Sequence, residues 1–243
     1  QSIAVTVTGV NDASPVFTSG ATASFAENAT GTILTAQASD ADLPGQTLTY
    51  SISGGVDAAR FAINSTTGAL TFVASPNFEA PSDSGANNVY DVQVTASDGT
   101  LSTNQSIAVT VTGVNDNTPV ITSLATASFA ENGSGTVIDI NATDADLPSQ
   151  TLTFSISGGA DAALFAIDSS TGVVTFVTAP DFEAPADAGA NNVYNLQVTA
   201  SDGGNSVNQA VVVTVTYIGS TVISSSATAY FAENGTVTVL DVD

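Results

Sequence analysis

The sequence predicts an all-β chain of antiparallel β-sandwiches set in tandem, about 100 residues apiece. Three observations predict it. The first is self-similarity at a spacing of 104 residues: Gln1 to Asp12 returns letter for letter at Gln105 to Asp116, and Phe25-Ala26-Glu27-Asn28 returns as Phe129-Ala130-Glu131-Asn132. A period this long is a whole domain and not one turn of a solenoid. The second is alternation. Tyr90, Val92, Val94 and Ala96 share one face of a segment whose other face is Asp91, Gln93, Thr95 and Ser97, and β-branched runs fill 107–112 and 211–216. The third is punctuation, since Gly, Asp, Asn and Pro separate roughly seven short apolar runs in each period.

Residues 1–12 read as the last strand of a preceding repeat, and 13–116 as the first full unit. Within it, 48–52 and 69–73 are short strands, and 54–61 is the one stretch where a helical turn is expected. The segment 78–90 carries little strand signal, and its Glu79, Asp83 and paired Asn mark it as a functional or ion-bound loop. Strands at 90–97 and 107–112 close the unit. The linker Gly113 to Pro119 is too short and polar to be a flexible spacer, so it is either a hinge or is rigidified by something. A second unit follows at 117–218, and 219–243 begins a third. Phe17, Phe25, Phe61, Phe72 and Phe78 are expected in the core, Asp57 and Asp161 in turns, and Arg60 (Leu164 in the second unit) on the surface. The chain opens inside a repeated strand, stops inside a third copy, and has neither Met nor a signal peptide; it reads as an excerpt from a longer polypeptide.

Composition excludes several functions. There are 23 acidic residues against one basic residue, for a net charge of −22. Nucleic-acid binding needs cations to replace counterions, and anionic membranes repel such a chain. No apolar run is long enough for membrane insertion. Without His, Cys or Lys, neither a Ser-His nor a Cys-His nucleophile nor a Schiff base can be built. Acids repeated in every unit are not a glycosidase pair either, so the chain is not read as an enzyme. The acidity then means either a solvated surface or structural cations. A sandwich gathers its loops at its two poles, where strand-end and loop acids converge on the linker. Each like-charged pair at ~4 Å costs about 1 kcal/mol in water and about 4 at an effective dielectric near 20. Calcium, which takes about six to eight oxygen ligands, relieves that repulsion.

The motifs, in this order, resemble the cadherin repeat in its bacterial cadherin-like form, over essentially the whole chain. They are Glu27 in Phe-Ala-Glu-Asn; Asn77-Phe78-Glu79 and the fuller Asp181-Phe182-Glu183; Asn115-Asp116-Asn117 before Pro119; Asp144-Ala145-Asp146; and Asp202 in Ala-Ser-Asp-Gly. The resemblance implies Ig-like Greek-key β-sandwiches of about seven strands, joined end to end by calcium, in a secreted or cell-surface bacterial protein. It implies that the first joint binds calcium through Glu27, Asn77 or Glu79, Asn115, Asp116, the carbonyl of Asn117, Asp144, Asp146 and Asp202. An upstream joint is half-present as Asn11, Asp12, Asp40, Asp42 and Asp98. Gly9 and Gly113 stand where the family's linker opens with Asp, and Asn77 stands where the mid-domain motif has an acid, so weaker or fewer ions are expected.

At the second joint Glu131, Asp181 and Glu183 remain, but Thr216 to Ser220 replaces the linker ligands and is two residues shorter, Phe231 lying 102 residues after Phe129. A calcium-poor, more flexible or differently packed joint is expected over 217–222, with Tyr217 offering an apolar contact. The leading function is a calcium-rigidified extracellular stalk. The alternatives are a module that binds a glycan or a like chain, which the lack of Trp disfavours, and a structural filament of strand-exchanging copies.

Overall fold

A computed structural model of the chain describes residues 1–219, so the third-unit motif Phe231 to Asn234 and the far end of the second joint at Val222 lie outside the described residues. The first unit runs β1 (Val16–Phe17), β2 (Thr22–Ala26), β3 (Thr32–Thr35), β4 (Ala38–Ser39), β5 (Thr49–Gly54), β6 (Phe61–Ile63), β7 (Ala69–Phe72), β8 (Val89–Ser97) and β9 (Ser102–Thr112). The second repeats it as β10 (Val120–Ile121), β11 (Thr126–Ala130), β12 (Thr136–Asp139), β13 (Ala142–Thr143), β14 (Thr153–Gly158), β15 (Phe165–Ile167), β16 (Val173–Phe176), β17 (Val193–Ser201) and β18 (Ser206–Thr216). The helical turn falls where expected, at Ala58–Arg60 and again at Ala162–Leu164.

In each unit a four-stranded sheet (β2-β9-β8-β5; β11-β18-β17-β14) faces a three-stranded one (β3-β7-β6; β12-β16-β15), with a small pair beside them (β1-β4; β10-β13). One feature departs from the antiparallel expectation. β2 pairs parallel with β9, and β11 with β18, because the first and last strands of a unit run from the same pole toward the same joint.

The alternation in β8 does what its spacing requires. Tyr90, Val92, Val94 and Ala96 are all at most 2% exposed, packed against Ile107, Val109 and Val111 of β9 and Leu70 of β7. Phe72 stacks on Phe61 at 4.7 Å and meets Tyr90 edge-on at 5.1 Å. Phe61 is buried, while Phe17, Phe25, Phe72 and Phe78 pack half-buried on its rim. Arg60 is exposed, as expected.

The strand expected over 1–12 is not formed: Ile3, Val5 and Val7 are more than 80% exposed. The same twelve letters at 105–116 place Ile107, Val109 and Val111 at 0–1% exposure, laddered between β2 and β8. Hydrogen-bonded neighbours complete a strand; β-propensity alone does not.

The long loop 78–90 is stapled by the protein's own carboxylates. Asp83 accepts from the backbone N–H groups of Gly85, Asn87 and Asn88 at 3.0 Å each. Asp57, expected in a turn, is 5% exposed and bridges Ser84 N (2.7 Å) to Asp91 N (2.9 Å). Asp187 and Asp161 repeat both staples in the second unit. Part of the acidity is therefore structural and needs no cation.

Candidate metal centre at the joint

The linker after β9 is held from both sides. Glu27, at the end of β2 and 2% exposed, accepts from Val114 N through Oε1 (2.8 Å) and from Phe78 N through Oε2 (2.7 Å). This fixes the polar end of the first unit. From the second unit, Asp146 Oδ1 accepts from Asn117 N (3.0 Å), Asn117 Nδ2 (2.6 Å) and, more weakly, Asp116 N (3.4 Å). Asp144 Oδ1 in turn takes Asp146 N at 2.9 Å. Asp202 caps its own turn through Gly204 N and Asn205 N, both at 2.6 Å.

Two carboxylate groups result. Glu27, Glu79 and Asp116 form one, and Asp144, Asp146 and Asp202 the other; within each, the potential ligand oxygens lie within 4.8 Å of one another. Asn115, Asp116 and Asn117 run between them. Asn77 Oδ1 accepts from Ala80 N at 2.7 Å. The upstream group is Asp40, Asp42 and Asp98, with Asp12 contributing its backbone N–H to Asp42 Oδ2 at 3.1 Å. The amide of Asn11 faces Asp98 Oδ2 and Asp42 Oδ2. Turned with its nitrogen toward them, it donates at 3.1 and 3.2 Å; turned with its oxygen toward them, it needs a cation between.

The fit to a hard cation rests on orphaned oxygens. Glu79 Oε2, Asp144 Oδ2, Asp146 Oδ2 and Asp202 Oδ2 are buried with no hydrogen-bond partner, as is Asp40 Oδ2 upstream. Buried polar atoms are almost always satisfied, and a buried anionic oxygen left alone is costly. These residues supply oxygen donors only, the set that calcium prefers over softer metals.

Electrostatics agree with crowding. Desolvation, then the charges of Glu27 and Asp146, push the Asp116 carboxyl above its usual range. Desolvation is also the largest influence on Asp146, but hydrogen bonds from the Asn117 side chain and backbone outweigh it and hold that carboxyl below the usual range. Asp202 is likewise held low by the Asn205 and Gly204 N–H groups against desolvation.

At the second joint Glu131, Asp181 and Glu183 also gather within 4.8 Å. Glu131 Oε1 takes Ile218 N at 2.7 Å, as Glu27 takes Val114 N. Desolvation and the neighbouring Glu131 raise the Glu183 carboxyl. No Asn-Asp-Asn follows, and the Tyr217 ring lies on Phe182 with centroids 5.7 Å apart.

Asn28, which follows Glu27 in the Phe-Ala-Glu-Asn motif, donates through Nδ2 to Asp116 Oδ2. One side chain at the joint carried no sequence signal. Asn205 Nδ2 donates to Asn115 Oδ1 (2.8 Å) and to the Asn117 carbonyl (2.9 Å). Its counterpart in the first unit is Leu101, so the repeat itself gave no signal.

Comparison with known proteins follows the same units. A family model described as the cadherin domain matches residues 21–112 and 125–217. Over 231 residues, 89% of this chain, the sequence is 34% identical to Protocadherin Fat 4 of Mus musculus, and over 83% of the chain it is 37% identical to Protein dachsous of Drosophila melanogaster. A shorter stretch, 32% of the chain, is 43% identical to Halomucin of Haloquadratum walsbyi. The chain spans only 4%, 6% and 1% of those relatives' lengths. Among solved structures, mouse Cadherin-23 EC22-24 is 27% identical with a TM-score of 0.60, covering 87% of this chain and 67% of that one. Protocadherin Gamma B2 extracellular cadherin domains 3-6 match with a TM-score of 0.67 at 24% identity, covering 87% of this chain and 55% of that one, a likeness of fold.

Proposed function

The chain belongs to the cadherin domain family, and from that premise we propose that it is a calcium-clamped segment of an extracellular adhesion stalk. The units are 13–116 and 117–218, with 1–12 corresponding in sequence to the last strand of a preceding repeat and 219–243 to the start of a third. Ions at the first joint are held by Glu27, Glu79, Asn115, Asp116, the Asn117 carbonyl, Asp144, Asp146 and Asp202, and an equivalent upstream joint uses Asn11, Asp12, Asp40, Asp42 and Asp98. Adhesion is the family's role; a prokaryotic surface as the setting is supported by the acidity, the absence of Cys and the partial likeness to Halomucin. No helix among the described residues is long and apolar enough to cross a membrane.

One observation carries the reading. Four carboxylate oxygens at a single joint, one each from Glu79, Asp144, Asp146 and Asp202, are buried without a donor, and the chain's one basic side chain, Arg60, is exposed beside its own turn and not at the joint. A cation bound to the closed joint and not to the open one stabilises the closed form by mass action.

Calcium titration by calorimetry, with small-angle scattering in calcium and in EDTA, tests it. Heat at the first joint, abolished by Asp146→Asn, and a larger radius of gyration in EDTA are expected. No binding heat and an unchanged radius would end the calcium reading.

A further inference from the structure

Asn205 reaches the linker from the hairpin between β17 and β18. It makes two bonds through one nitrogen, to the Asn117 carbonyl at 2.9 Å and to Asn115 Oδ1 at 2.8 Å. A backbone carbonyl only accepts, so the first bond fixes which end of the Asn205 amide faces the linker. The second bond then fixes Asn115, which presents its oxygen to Asn205 and leaves its nitrogen for Asp202. Desolvation pushes the Asp202 carboxyl up, and the Asn205 and Gly204 N–H groups together with the Asn115 side chain hold it low. Gly204 lies against the same amide, where a Cβ would press on Asn115 Cγ, Nδ2 and Oδ1 at 3.2 Å each.

The first unit supplies the comparison. Its hairpin makes the same turn: Leu101 N donates to Asp98 Oδ1 at 2.7 Å and Ser97 Oγ to Leu101 O at 3.0 Å, against 2.6 and 2.9 Å at Asn205. Thr100-Leu101 stands there in place of Gly204-Asn205. Leu101 has no side-chain donor, so nothing of this kind orients Asn11, the counterpart of Asn115, whose amide can turn either end toward Asp98 and Asp42. We propose that Asn205 is a built-in competitor for the cation at the first joint. In the ion-free joint it latches the linker to the second unit and turns the Asn115 oxygen away from Asp202; an ion that takes this oxygen must break the latch. The proposal rests on the calcium reading. Stabilising the ion-free form lowers the apparent affinity for calcium in proportion, and a joint built on Leu101 has no such competitor.

The test uses the 243-residue chain and its Asn205→Leu and Asn205→Ala variants, the first of which copies the residue that the first unit carries on the same turn. Solvent exchange of the Asn115 side-chain amide is read by nuclear magnetic resonance in EDTA, and calcium affinity by calorimetry. In both variants the amide is expected to exchange about three- to tenfold faster, and calcium to bind about three- to tenfold more tightly, the range set by one net hydrogen bond. The second unit's denaturation midpoint is expected to stay in place. Calcium affinity that is unchanged or weaker in both variants overturns the proposal, as does an Asn115 amide that exchanges in EDTA no faster than in the wild type. A wild-type chain that gives no calcium heat ends the calcium reading, and this competition with it.

Discussion

At the level of single side chains, the carboxylates divide into two kinds that composition cannot separate. Asp57, Asp83, Asp161 and Asp187 are satisfied by backbone N–H groups; Asp144 and Asp146 keep an oxygen that nothing donates to. Asp161→Ala strands Ala188 N and Asn195 N and is expected to lower the second unit's unfolding free energy by about 1.5–3 kcal/mol with calcium affinity unchanged; chemical denaturation and calorimetry read the two separately. A natural pair gives a second prediction. Asp168 Oδ1 accepts from Ser170 N and Thr171 N, the latter bond being the main cause of its lowered pKa, and Asn64 makes the same turn in the first unit. A lowered folded-state pKa contributes stability that is present above the ordinary value of 3.8 and lost as pH falls through the folded one. Asp168→Asn should therefore flatten the acid limb of the second unit's melting profile below pH 3.8, and an unchanged limb would refute the assignment. The ligand motifs were legible because they recur in order. The staples were not, because Asp in a Gly-rich loop looks like any turn residue until its burial is known.

Strands and loops show where sequence pattern ends. The face of β8 could be read letter by letter from its alternation. The fate of 1–12 could not, since an identical string is a laddered strand in β9 and an exposed segment at the start of the chain. The parallel pairing of β2 with β9 was equally hidden, because alternation sets which face is buried and not the direction of a neighbour. Packing predictions belong here. Leu70, fully buried in β7, should cost about 2–5 kcal/mol as Leu70→Ala. That loss should appear in the melting of the first unit and leave the second unit's transition in place, which differential scanning calorimetry resolves. A single shared shift would mean that the two units unfold as one.

For the whole molecule, charge and architecture meet at the joints. With a net charge of −22 and one basic residue, the proposed calcium clamp predicts that EDTA leaves repulsion to open the first joint and also speeds proteolysis of the linker 113–119. Salt at about 1 M, where screening acts within ~3 Å, should restore part of the protection without calcium. The second joint should respond less to either, because Tyr217 on Phe182 is an uncharged contact.

The parallel ladder of β2 on β9 has a mechanical consequence. Its five pairs, Thr22 with Ala108 through Ala26 with Thr112, lie between the second strand of a unit, just after the short β1, and the strand by which the chain leaves. Pulling on the two ends slides these strands lengthwise past each other, so the hydrogen bonds share the load and must break together instead of peeling one at a time. Resistance to stretching is thus set within each sandwich by strand direction, whatever holds the sandwiches to one another.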